Sequence, residues 1–275
     1  MRNTHQSMGF KDNKKWNFGT KCDLFLFPGE VRVKANPPIM KTTFACAALL
    51  IFAAVVPLRA AEAGQTRLFI LSGQSNMEGL DPEEAFAPTL RKAFPADEII
   101  VAKHAQSGQP IRRWYADWKS ASGEDPQVRK GQKGDLYDKL LAEVKKALEG
   151  KPRPVTVVFV WMQGEADTHV ADMADVYKDT LKAVISNLRK DLERPDMRFV
   201  VGRISDFAKY PEGSKTVREA QVAVAESDPL GGWIDTDDLN GSNNALHYMG
   251  EGKRLLGERF AEKAAKLLSS EPAKK

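Results

Sequence analysis

The stretch Leu68–Leu80, LFILSGQSNMEGL, constrains this chain more than any other. A run of apolar, β-forming residues passes through Ser72-Gly73 into a polar turn carrying Gln74, Ser75 and Asn76. Such a strand is covered on both faces, and the glycine turn at its end presents side chains at the carboxyl edge of a parallel sheet, where α/β domains bind ligands. Ser75 then has two readings. It caps the helix that follows, as serine commonly does. Alternatively, it is a nucleophile beside backbone N–H groups that can hold a developing oxyanion.

From Thr66 onward strand and helix patterns alternate. Arg67–Leu71, Glu98–Ala102, Val155–Trp161, Arg198–Ile204 and Trp233–Asp235 read as strands. Leu136–Leu148, Asp172–Leu192, Val217–Glu226 and Tyr248–Leu268 carry apolar residues at helical spacing. Val155–Trp161 is nearly all apolar, as a strand buried on both faces requires. Alternation implies right-handed crossovers and an α/β fold, with a mainly parallel sheet of about five strands. Residues 64–270 suit one such domain, and the polar stretch Lys119–Gly134 reads as a surface loop.

Ahead of that domain, Met40-Lys41-Thr42-Thr43 leads into FACAALLIFAAVVPL and ends in Ala61-Glu62-Ala63. A short positive start, an apolar core and a small-x-small end form a secretory signal pattern over residues 40–63. The core is shorter than the ~20 residues that span a bilayer. Residues 1–39 are polar and basic, and are expected to be a misassigned extension before a true start at Met40. The protein is therefore expected to be secreted or periplasmic, with no stable membrane association after cleavage. Residues 1–63 hold nine of the 41 Lys and Arg and four of the 37 Asp and Glu, leaving 32 basic against 33 acidic residues. That balance gives no electrostatic case for nucleic acid. Both cysteines, Cys22 and Cys46, also lie in the removed part.

Polar clusters fall at four predicted strand ends. Ser75 follows the first strand, Ser107-Gly108-Gln109 the second, and Gln163-Gly164-Glu165 the third; His247 follows Asp235-Thr236-Asp237-Asp238. A serine nucleophile needs a base, and beyond residue 63 the histidines are His104, His169 and His247. Pairing an early strand-end serine with a late histidine favours His247. A metal or other cofactor is not expected: the mature part has no cysteine, no HExxH and no close histidine pair. Gly73-Gln74-Ser75-Asn76-Met77 also lacks the second glycine of the α/β-hydrolase nucleophile elbow.

GQSNM after an apolar strand, WMQGEAD after a central strand, and LHY followed by GEGKRLLGERFAE resemble the sialate O-acetylesterase-like carbohydrate esterases of the SGNH hydrolase superfamily. The resemblance runs from about Arg67 to Lys266. It implies a three-layer α/β/α sandwich and serine-dependent removal of acetyl groups from sugar hydroxyls. It also makes Ser75 the nucleophile and His247 the general base, with Ser75, Gly108 and Gln163 as oxyanion donors. The chain departs from the family pattern at Met162, where histidine is usual, at Ala166, where serine is frequent, and at Asn244. Many relatives have aspartate at that last position, three residues before the histidine, and an amide cannot stabilise an imidazolium as a carboxylate does. Glu165 is the favoured third catalytic member, with Asp237, Asp238 and Asn244 as alternatives, and Trp114 and Trp118 are candidate sugar-stacking residues. The alternatives to a carbohydrate acetylesterase are a general short-chain esterase or lipase of the same fold, and a non-catalytic carbohydrate-binding protein.

Overall fold

Two glycine-poor apolar runs form the centre of the sheet. In β1 (Thr66–Gly73) and β3 (Thr156–Met162) nearly every side chain is buried, as strands covered by helices on both faces must be. The computed structural model describes residues 64–123, 132–207 and 209–270. The leader-like segment 40–63, the extension 1–39 and residues 124–131 of the polar loop lie outside the described residues.

The remaining strands are β2 (Glu98–Ala105), β4 (Arg198–Gly202) and β5 (Gly231–Ile234). All pairings are parallel, in the order β2-β1-β3-β4-β5. The helices are α1 (Ser75–Glu78), α2 (Phe86–Ala93), α3 (Asp135–Ala147), α4 (Ala171–Asp175), α5 (Tyr177–Asp191), α6 (Pro211–Glu226) and α7 (Glu251–Ser269). Helix α7 packs on α2 and on β3–β5, while α3 packs on β2 and α6 on α5, β4 and β5. With right-handed crossovers this gives helices on both faces of the sheet, the α/β architecture the sequence pattern implied. Because β2 and β3 flank β1 on opposite sides, the chain reverses its direction of winding between β1 and β3, and a crevice opens at their carboxyl ends.

Gly73 closes that crevice at its base. Its φ is +148°, and a Cβ there would lie 1.9 Å from the Met162 carbonyl oxygen. The close approach lets the Gln74 N–H donate to that same oxygen at 2.9 Å, locking the ends of β1 and β3 together.

The structure differs from the sequence pattern in five helices. The stretch expected as one helix over Asp172–Leu192 is broken at Val176 into α4 and α5. The break turns Tyr177 into the core, where its hydroxyl donates to the Gln163 carbonyl at 2.6 Å. Helix α6 begins at Pro211, a residue suited to a first helical turn, six residues before the apolar periodicity starts. Helix α7 begins at Glu251, so His247 lies in the loop before it. Helix α2 escaped the periodicity altogether.

Candidate active site

Ser75 is the first residue of α1. The capping position belongs to Gln74, whose side chain makes no cap hydrogen bond, so Ser75 does not cap this helix. Its Oγ instead lies 3.0 Å from Nε2 of His247, which is contributed by the loop between β5 and α7. Serine and histidine are 172 residues apart in sequence and meet at the crevice.

Asn76 holds the histidine loop in place. Its Nδ2 donates to the Leu246 carbonyl at 3.1 Å, and its Oδ1 accepts the Tyr248 N–H at 3.1 Å, so one buried amide grips the backbone on both sides of His247. The same Nδ2 donates to Oε1 of Glu165 at 3.0 Å. Tyr248 adds a second anchor, with its buried hydroxyl 2.6 Å from Oγ1 of Thr236.

The carboxylates fall into place around this grip. Glu165 bonds to Asn76 rather than to the imidazole, so it reaches His247 only through that amide. Burial pushes its pKa up to about 6, and Oε2 has no hydrogen-bond partner among the described residues. Asp237 is held by Arg203 and Arg218, and Asp238 by Arg259. Each of those two carboxyls lies below its ordinary pKa, chiefly through its arginine hydrogen bonds. Asn244, in a left-handed turn with φ +44°, accepts a hydrogen bond from Asn240. Among the described residues no carboxylate hydrogen-bonds His247.

Gly108 lies at the mouth of the crevice with φ +67°, in the left-handed region that glycine enters without strain. The residue before it is tied to α1: the Ser107 N–H donates to Oε2 of Glu78 at 3.1 Å, and the Ser107 hydroxyl donates to the same oxygen. Gln163 is fully buried. Nε2 donates to Oδ2 of Asp167 at 2.5 Å and to the Gln109 carbonyl at 3.0 Å. Asp167 also accepts the Ile111 N–H at 2.9 Å, so this pair braces the second loop against the third. Burial raises the Asp167 pKa to about 7.

Trp114, expected at the sugar, is a core residue. It is fully buried, packs edge-on against Trp161 at 5.1 Å, and donates its indole N–H to Oγ of Ser72 at 2.9 Å. Trp118 is buried as well. A tryptophan after a glycine-containing turn does not reveal which way its ring points, and here the 3-10 turn Ile111–Trp114 directs it inward. The sequence reading also passed over Asn76, Glu78 and Asp167. Asn76 adjoins the candidate nucleophile in GQSNM, and that adjacency was the signal available for it.

Ser75, Gly108, Glu165 and His247 all line one open cleft of about 620 Å³, within the size range of small-molecule sites. Among the described residues no group of three or more His, Cys, Asp or Glu side chains is placed to share a metal ion, and no helix is long and apolar enough to cross a membrane.

Residues 78–266 match the family model described as carbohydrate esterase, sialic acid-specific acetylesterase. Over 189 residues the chain is 24% identical to the probable carbohydrate esterase At4g34215 of Arabidopsis thaliana, covering 67% of this chain and 63% of that relative. The chain thus spans a little under two thirds of the length of the curated relative it matches. The solved structure of the Arabidopsis thaliana protein AT4G34215 superimposes with a TM-score of 0.57 at 21% identity, over 75% of this chain and 99% of that one. NanS superimposes with a TM-score of 0.55 at 14% identity, over 75% and 98%. The carbohydrate acetylesterase XAC1771 of Xanthomonas citri does so at 0.53 and 18%, over 74% and 56%. These superpositions share the fold, and the family model covers most of the domain that carries the serine and histidine loops. The chain belongs to the sialic acid-specific acetylesterase family of carbohydrate esterases.

Proposed function

We propose that this chain is an exported serine esterase that removes O-acetyl groups from carbohydrate through an acetyl-serine intermediate. The observation that carries the reading is the 3.0 Å contact between Ser75 Oγ and His247 Nε2 inside the cleft at the β1/β3 crevice. His247 takes the serine proton as Oγ attacks the acetyl carbonyl. The carbonyl oxygen becomes an oxyanion held by the backbone N–H groups of Ser75 and Gly108. Collapse breaks the bond to the sugar oxygen, which leaves with the proton held by His247. Water, deprotonated by the same histidine, attacks the acetyl-enzyme and releases acetate and free Ser75. In this reading Gln163 supports the oxyanion loop from behind, through Asp167 and the Gln109 carbonyl. Export rests on the leader-like residues 40–63, and an amino-terminal sequence of the secreted product starting near residue 64 tests it.

A second reading, a non-catalytic carbohydrate-binding protein, is favoured by the lack of a carboxylate on His247 among the described residues. Hydrolysis of 4-nitrophenyl acetate and of acetylated xylan by the domain separates the two. The esterase reading requires turnover of both, with Ser75→Ala losing about 10³-fold or more in kcat. Wild-type protein that binds acetylated sugar but hydrolyses neither ester would establish the second reading instead.

A further inference from the structure

With both tryptophans in the core, the sugar-facing surface must be sought elsewhere on the cleft. One wall is aromatic: Phe207, Tyr210 and His169 line the same cleft as Ser75 and His247. His169 ends the 3-10 turn Glu165–His169 after β3, and Tyr210 occupies the position just before α6. Their rings lie with centroids 4.5 Å apart at 43°, and the Lys209 ammonium sits 5.5 Å from the Tyr210 ring centre.

The wall is built rather than incidental. Gly213, in the first turn of α6, comes so close to the 3-10 turn that a Cβ would lie 2.1 Å from the Thr168 carbonyl oxygen. The Ser214 N–H donates to the Tyr210 carbonyl at 2.8 Å, fixing the backbone that carries the ring. Thr168 in turn donates its hydroxyl to the Glu165 carbonyl at 2.8 Å, which ties His169 to the element that holds Glu165. Partial desolvation and the nearby Lys209 hold the His169 pKa below the usual imidazole value, so near pH 7 the ring is neutral and can both donate and accept a hydrogen bond.

We propose that His169 and Tyr210 form the glycosyl subsite, with the Tyr210 ring against the C–H face of the pyranose whose acetylated hydroxyl reaches Ser75. Neighbouring hydroxyls of that sugar meet the His169 ring nitrogens and the Lys209 ammonium. An aromatic face with polar tips suits a pyranose, which is apolar on its ring faces and polar at its edge. An acyl chain or a simple aryl ester would gain little from those tips. The assignment rests on the esterase reading for where the acetyl group lies, but the wall itself can be tested without turnover.

The test compares Tyr210→Ala, His169→Ala and Tyr210→Phe with wild type on 4-nitrophenyl acetate and on methyl 6-O-acetyl-glucoside. Tyr210→Ala and His169→Ala should each lower kcat/KM on the acetylated glycoside about 3- to 10-fold through KM. Both should keep 4-nitrophenyl acetate hydrolysis within about twofold of wild type, and Tyr210→Phe should retain glycoside turnover. Equal losses on both esters, or no loss on either, would overturn the subsite. Calorimetric binding of the same glycoside to Ser75→Ala protein, with and without Tyr210→Ala, reads the wall alone. Weaker binding in the double variant supports the subsite even if the wild type hydrolyses nothing, and unchanged binding refutes it whatever the turnover.

Discussion

The carboxylates at the end of β3 and those after β5 occupy the same rim of the sheet, and their surroundings are opposite. Asp235, Asp237 and Asp238 are paired with arginines at 2.5–2.7 Å. Glu165 and Asp167 are buried among amides, and each leaves one oxygen without a hydrogen bond among the described residues. An arginine takes up a carboxylate's lone pairs and fixes its charge. An amide holds the group in position while leaving it free to change protonation state near neutral pH. Proximity in sequence to His247 therefore misleads: Asp237 and Asp238 are near in the chain but committed elsewhere. Glu165, 82 positions earlier, is connected to the histidine loop through Asn76.

Asn76→Ala attacks the link itself and should have the largest effect of this group. It removes the grip on both sides of His247, and a catalytic group displaced by about 1 Å can cost about 10²-fold in turnover. The expected outcome is a fall in kcat of that order on 4-nitrophenyl acetate with a smaller change in KM. An unchanged kcat would mean that Tyr248 and Thr236 hold the loop without it. Glu165→Gln comes next. Its amide keeps an acceptor for Asn76 but removes the charge, and kcat should drop about tenfold, well short of losing the serine. Asp237→Asn and Asp238→Asn serve as the counterpart from the other region. Both carboxylates bind arginines and neither hydrogen-bonds His247, so each should stay within about twofold of wild-type kcat. A larger loss in Asp238→Asn than in Glu165→Gln would reverse the comparison.

How much of this was legible in the chain depended on whether the signal was local. The three central strands were, because parallel strands buried on both faces must be continuous apolar runs, and VTVVFVW has few other uses. Helix α2 was not: FAPTLRKA is eight residues long with Pro88 inside it, too short and interrupted for a period to stand out. Tyr177 looked like one more residue of a long amphipathic helix, but the break at Val176 makes it a buried hydrogen-bonding core residue. At the site, Ser75 and His247 could be paired because the serine followed a recognisable strand and the histidine stood just before a recognisable helix. The partner of the third carboxylate could not, since hydrogen bonding between Asn76 and Glu165 depends on how loops 89 positions apart pack. The ring direction of Trp114 was unreadable for the same reason.

The smallest effect is on stability, and it gives the two groups of carboxylates opposite signs. Burial raises the folded-state pKa of Asp167 from an ordinary 3.8 to about 7. Between those values the unfolded chain has released the proton that the folded chain keeps, so the unfolded state binds fewer protons and stability falls as pH rises through that window. Asp237 and Asp238 lie below their ordinary values. Their contribution is present above the unfolded carboxylate pKa and is lost as pH falls through the lowered one. Asp167→Asn cannot ionise, so the difference between its Tm and that of wild type should climb by several degrees from pH 5 to pH 8, in favour of the variant. Asp238→Asn should show no such climb over that range and should differ from wild type mainly above the acid region, where its arginine pair is intact. Thermal unfolding followed by circular dichroism at pH 3, 5, 7 and 8 reads both. A Tm difference for Asp167→Asn that stays flat from pH 5 to pH 8 would mean that the carboxyl ionises in the fold as readily as in water. The contrast between amide-held and arginine-held carboxylates would then lose its energetic basis.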